Sequence, residues 1–137
     1  MAILGKMMPK FDLHAGALSG APEDEPKFFS VQIARARRFH LQLKPDPTAR
    51  LSVVCGGSER CAPDYEIRRS TFPYFGLEFE AGGKGLLELG GRRHRQVPGT
   101  LFSYGPDVAH HISTAADEPL VKYFVDFAGR NARALLR

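Results

Sequence analysis

The sequence predicts an all-β domain whose antiparallel strands curl into a closed or rolled sheet. Two observations carry this. From Leu51 onward, short β-rich runs recur at the spacing of about eight to twelve residues typical of sandwiches and barrels. Turn-forming pairs such as Gly90-Gly91 and Pro98-Gly99 separate them, and no helical pattern intervenes. With 14 Gly and 10 Pro in 137 residues, the chain is turn-rich, yet long enough for one domain burying roughly two thirds of its unfolded surface. A sheet of this kind protects its edges by rolling up.

Residues 1–27 show no sustained period. Pro9, Gly16, Gly20, Pro22 and Pro26, with the acidic run Glu23 to Glu25, predict a flexible N-terminal arm. Two readings stay open for the next segment. Ser30 offers an N-cap for two helical turns over Val31 to Arg38, whereas Phe39, Leu41 and Leu43 alternate as in a strand. Leu51 to Cys55 reads as a strand stopped by Gly56-Gly57. Tyr65, Ile67 and Arg69 share one face of the next strand, and Phe75, Leu77 and Phe79 share the apolar face of another, with Glu78 and Glu80 opposite them, open to solvent. Leu86 to Leu89, Gly90-Gly91 and Arg92 to Val97 make a hairpin, because adjacent glycines supply the positive φ angles of a type I′ turn. Strands at Thr100–Tyr104, His110–Thr114 and Leu120–Phe127 follow, and Asn131 to Leu136 has the Ala and Leu spacing of a helix start.

The formal net charge is +4, but the arginines lie in short separated pairs such as Arg37-Arg38 and Arg92-Arg93, which reads as a solvated surface and not a nucleic-acid face. Gly82 to Gly85 is a tight turn, since no helix and no Ser or Thr follow to make a phosphate loop. Gly5, Lys6 and Pro9 break up any secretory leader, so a cytoplasmic protein with free thiols at Cys55 and Cys61 is expected. No apolar run is long enough to span a membrane.

The stretch from Gly99 through Pro106 to His110 resembles the second sequence motif of cupins, and Gly83, Gly85 and the Gly-Gly hairpin fall where cupins have them. More narrowly, Tyr65/Ile67/Arg69, Phe72 to Phe75, Leu101 to Pro106 and Val121 to Phe127 resemble the N-terminal ligand-binding and dimerisation domain of AraC family transcription regulators, over about residues 28–130. The resemblance implies a double-stranded β-helix (cupin or jelly-roll barrel) as sensor domain 28–130, preceded by the arm 1–27, with a C-terminal helix starting at 131–137 that pairs subunits into a homodimer. It also implies DNA contact only through helix-turn-helix units that this chain lacks.

Cupin enzymes hold a metal with a His-x-His pair, a Glu and the second-motif His, because a divalent ion needs several imidazole and carboxylate ligands converging on one point. The corresponding strand here reads Phe72 to Phe75, without histidine, and His110 and His111 are adjacent, so they point to opposite faces. No metal or other cofactor and no catalytic residues are expected. A small-molecule sensor is the leading reading; the alternatives are a metal-dependent cupin enzyme (isomerase or dioxygenase) and a ligandless dimerisation module. Arg69 is the first candidate for the binding site: carried inward by its alternation with Ile67, its guanidinium could grip the hydroxyls or carboxylate of a sugar or sugar acid. The resemblance puts Ile112, Lys122 and Phe124 in the same pocket, where Ile112 stands for an aromatic and Lys122 for a histidine. Tyr104 and His110 are further amphipathic candidates, whereas Phe72, Tyr74 and Phe102 read as core.

Overall fold

The computed structural model describes residues 25–137. The expected arm therefore lies outside the described residues except for its last three positions. Within them the chain forms β1 (Ile33–His40), β2 (Ser52–Cys61), β3 (Glu66–Arg69), β4 (Phe75–Gly82), β5 (Gly85–Leu89), β6 (Arg92–Gln96), β7 (Leu101–Tyr104), β8 (His110–Thr114), β9 (Val121–Ala128) and α1 (Ala132–Leu135). Every pairing is antiparallel. A five-stranded sheet in the order β1-β2-β9-β4-β7 faces a four-stranded sheet in the order β3-β8-β5-β6. Successive strands mostly cross between the sheets, which is the winding of a double-stranded β-helix. Val54, Tyr65, Phe72, Leu87, Phe102, Ile112 and Leu120 form the core between the layers.

The hairpin follows its turn chemistry: Gly90 and Gly91 have φ of 55° and 78°, and β5 and β6 pair from Leu89↔Arg92 to Gly85↔Gln96. Of three local readings, one left open is settled and two are corrected. Residues 33–40 form a strand and not a helix, because β1 gains a ladder on β2 from Ile33↔Cys61 to His40↔Cys55 that outweighs the helix preference of Ala and Arg. Ser30 accepts a hydrogen bond from the Gln32 N–H at 3.1 Å and closes a turn there, not a helix. Secondly, β2 does not stop at Gly56-Gly57 but runs through it to Cys61, flanked by β1 and β9. A Cβ on Gly57 would collide with the Arg37 carbonyl and the Arg38 Cα, so glycine lets the backbones approach.

The third of these matters most for function. Glu78 and Glu80 are 3% and 0% exposed, whereas Phe79 is 41% exposed. The polar face of β4 points into the barrel. The same holds on β9, where Lys122 and Asp126 are buried and Tyr123 is exposed. An apolar-in assignment of β4 fails because the interior is itself ionic.

Outside the four-stranded sheet, Glu66, Arg68, Glu88, Arg93 and His111 form mixed surface ion pairs. α1 is a single turn; Ala132 is buried and Leu135 exposed. Among the described residues no helix is long and apolar enough to cross a membrane. Both cysteines are free and buried.

Because the obstacle at Gly57 is backbone on a neighbouring strand, Gly57→Ala should destabilise the domain by about 1–3 kcal/mol, the usual range for overpacking. Thermal denaturation of the variant checks this; an unchanged melting temperature would show that β1 yields freely.

Candidate functional site

At one end of the barrel a small pocket lies between Phe28-Phe29-Ser30, the inward residues of β4 and β9, Ile67 and Arg69 of β3, Glu59 of β2 and Tyr104 of β7. Its open volume is about 20 Å³, room for one water molecule. The two phenylalanines fill most of the opening. Phe28 packs edge-on against Phe72 and Tyr74, and Phe29 against Phe124.

The floor of the pocket is built on Lys122. Its Nζ donates to the Tyr65 hydroxyl at 2.7 Å and to Glu78 Oε2 at 3.1 Å, and Glu59 Oε2 lies 3.6 Å away. An ammonium has three donors, and here it meets three acceptors. The second oxygen of Glu78 accepts from the Tyr104 hydroxyl at 3.0 Å, and Glu59 Oε1 accepts from Arg38 Nε at 2.9 Å. Arg38 in turn stacks over Phe29 and donates to the Ser30 carbonyl at 2.9 Å, tying the segment over the opening to the ionic floor.

Arg69 forms the rim. One amino group donates to the Phe28 carbonyl at 2.7 Å, the other lies 3.4 Å from His110 Nε2, and the guanidinium sits 4.7 Å from the Phe72 ring centroid. Since arginine can only donate, His110 accepts through Nε2 and places its proton on Nδ1, toward the Val108 carbonyl at 3.2 Å. Burial, and then the nearby Arg69 charge, hold the His110 pKa below its ordinary value, in keeping with a neutral ring. Among the described residues no carboxylate lies within 4 Å of Arg69, in contrast to Lys122. Asp126 also faces the pocket: Oδ2 accepts from the Cys55 thiol at 3.2 Å, and Oδ1 has no hydrogen-bond partner.

Of the residues singled out from sequence, Arg69, Tyr104, Lys122 and Phe124 line the pocket. His110 stands behind the lining, stacked on Tyr104 with ring centroids 4.0 Å apart. Ile112 does not reach it: fully buried between Ile67 and Leu87, it belongs to the core. Glu59, Glu78, Asp126, Phe28 and Phe29 were not foreseen. A signal for Asp126 was present, since Lys122, Phe124 and Asp126 alternate along β9 and must share a face.

A family model for the AraC-like ligand binding domain matches residues 53–137. The chain belongs to this family. No curated protein sequence matches it. Among solved structures, a Cupin 2 conserved barrel domain protein from Salinispora arenicola superposes with a TM-score of 0.51 at 18% identity, over 74% of this chain and 82% of its own. The cupin domain of Schizosaccharomyces pombe Cnp3 gives 0.53 at 14% identity, over 79% and 77%. A predicted oxalate decarboxylase from Thermotoga maritima gives 0.51 at 13%, over 56% and 67%. At such identities these likenesses establish the cupin fold alone.

The metal centre of cupin enzymes does not fit the residues of this AraC-like domain. Glu59 and Glu78 already neutralise an ammonium, His110 is committed to Arg69 and Val108, and among the described residues no group of three or more His, Cys, Asp and Glu is placed to hold an ion. The lumen carries its own fixed cation instead. Burial alone would lower the Lys122 pKa, but Glu78, Tyr65 and Glu59 outweigh it and hold the ammonium charged well above the ordinary lysine range.

The remaining acids behave differently. Burial, aided by the charge of Glu78, pushes Asp126 up to about 7 and Glu80 up to about 8. Glu80 accepts from the Gln96 amide at 2.9 Å, while its other oxygen has no partner. Both carboxyls bind protons more tightly folded than unfolded, where they titrate near 3.8 and 4.5. Their protonation therefore favours the folded state fully below about pH 4, and that contribution is lost as pH rises through about 7 and 8. Stability should fall between about pH 4 and 8, and Asp126→Asn and Glu80→Gln should each flatten part of that slope. Urea denaturation across this range checks it; slopes unchanged in both variants would contradict the assignment.

Proposed function

We propose that this domain is the small-molecule sensor of a transcription regulator, and that it binds a sugar or sugar acid in the pocket between Arg69 and Asp126. The observation that carries the reading is the contrast between the two inward cations. Lys122 is neutralised within the barrel, whereas Arg69 meets only neutral acceptors, Phe28 O and His110, at the rim of a cavity. A buried-rim guanidinium without a carboxylate is suited to an incoming carboxylate or hydroxyl pair, and the free oxygen of Asp126 to a hydroxyl donor. Phe28 and Phe29 fill the space a ligand needs, so binding requires them to move. That makes residues 28–30 the element coupling occupancy to the rest of a regulator, through a shift between two states.

In this reading the domain acts in the cytoplasm and does no chemistry: its carboxylates serve as counter-ions, and its histidine orients Arg69. DNA is contacted by a helix-turn-helix domain carried outside residues 1–137, as the AraC-like family suggests.

A thermal-shift screen of sugars and sugar acids tests the reading, followed by titration of Arg69→Ala with the best hit. Loss of charge-assisted bonds worth roughly 1.5–3 kcal/mol should weaken binding about ten- to a hundred-fold. Unchanged affinity in a folded Arg69→Ala variant would reject the pocket.

A further inference from the structure

We propose that Arg35, Arg37 and Arg60, on the outer face of β1 and β2, form an anion site that takes the phosphoryl group of a small phosphorylated molecule. The site is separate from the pocket in the lumen and does not rest on the sensor reading.

Strand register builds it. Arg38 turns inward to Glu59, so alternation turns Arg35 and Arg37 outward on β1 and Ser58 and Arg60 outward on β2. Lys122 turns inward on β9, which puts Val121 and Tyr123 on the same outer face. The pairing then sets out two rows across three strands. One runs Arg35, Arg60, Val121 and the other Arg37, Ser58, Tyr123. Together they enclose an open depression of about 280 Å³, and all three arginines are exposed.

The charge there is unmatched. Arg35 and Arg60 stand directly opposite each other, and like charges so placed across an antiparallel pair destabilise it. Among the described residues no carboxylate lies within 4 Å of Arg35, Arg37 or Arg60. Glu59 is next to them in the chain, but its carboxylate is held on the lumen side by Arg38 and Lys122. Elsewhere on the surface Arg68 meets Glu66, Arg93 meets Glu88, Lys84 meets Glu118 and Arg133 meets Asp107. The missing counter-charge is therefore local to this depression.

Geometry selects the kind of anion. A carboxylate has two oxygens in one plane and matches one guanidinium fork, whereas the oxygens of a phosphoryl group radiate and can accept from three arginines at once. The Ser58 hydroxyl supplies one more donor, and the Tyr123 ring, 55% exposed, walls the depression where the organic part of the ligand would rest. The positive charge does not continue along the sheet: β9, β4 and β7 place no Lys or Arg on this face. A duplex backbone needs a stripe of cations, so the compact cluster fits a small molecule and not DNA.

The test is isothermal titration calorimetry of the whole chain with inorganic pyrophosphate and with ATP, at about 0.15 M NaCl, where long-range attraction is screened. Circular dichroism confirms that each variant folds. The wild type should bind one equivalent of pyrophosphate with a Kd below about 1 mM. Arg35→Gln and Arg60→Gln should each weaken this about ten-fold, and the double variant should show no binding. Arg92→Gln, the same charge change at the hairpin of the other sheet, should bind as the wild type does. ATP binding more tightly than pyrophosphate, with the gain lost in Tyr123→Ala, would identify an organic phosphate as the ligand; equal affinities would identify the free diphosphate. The proposal is overturned by a wild type that shows no saturable binding, by Arg35→Gln and Arg60→Gln variants that keep full affinity, or by an equal loss in Arg92→Gln. Loss of pyrophosphate binding in Arg69→Ala would put the anion in the lumen, and tighter binding of a short DNA duplex would make the cluster a backbone contact; either result overturns it as well.

Discussion

A fully buried ammonium organises this barrel. Moving Lys122 out of water costs several kcal/mol, and that cost is offset only where acceptors surround the charge closely. They come from separate elements: Glu78 on β4, Glu59 on β2 and Tyr65 at the entry to β3. The ion cluster thus ties the two sheets together, and removing one partner would strand an uncompensated charge at a cost of about 3–5 kcal/mol. Arg38 and Tyr104 complete it by holding the far oxygens of the two glutamates.

Two consequences follow on opposite sides of the same strands. Inside, the cluster consumes most of the lumen's polar capacity, leaving Arg69 and one oxygen of Asp126 as the groups available to a ligand. Outside, strands that turn their polar residues inward must turn apolar ones outward, which leaves Phe79 and Tyr123 exposed on the outer face. The character of the pocket and that of the outer surface therefore share one cause.

The strand grammar was legible in the sequence because turn chemistry is local: Gly90-Gly91 fixes its hairpin without outside help, and β8 falls at His110–Thr114 as read. Gly56-Gly57 misled because the same residue pair serves close packing between β1 and β9, a relation between segments distant in sequence. The inward path of Arg69 followed from its alternation with Ile67. Glu78 and Glu80 did not follow from theirs, since a rule that sends apolar residues inward fails where a buried cation supplies the carboxylates' partner. Lys122 was assigned to the pocket by family resemblance alone; that it organises the interior depends on Glu59, 63 residues away in the chain, which no local pattern links to it.

The protonation state of Lys122 is the most direct point of attack. Nitrogen-15 NMR of lysine-labelled protein distinguishes an ammonium from an amine and reports its exchange with water. A paired Lys122 should give an ammonium signal protected from exchange and unchanged up to about pH 10, near the ordinary lysine value. A neutral amine, or a transition well below that value, would contradict a barrel built around a buried cation.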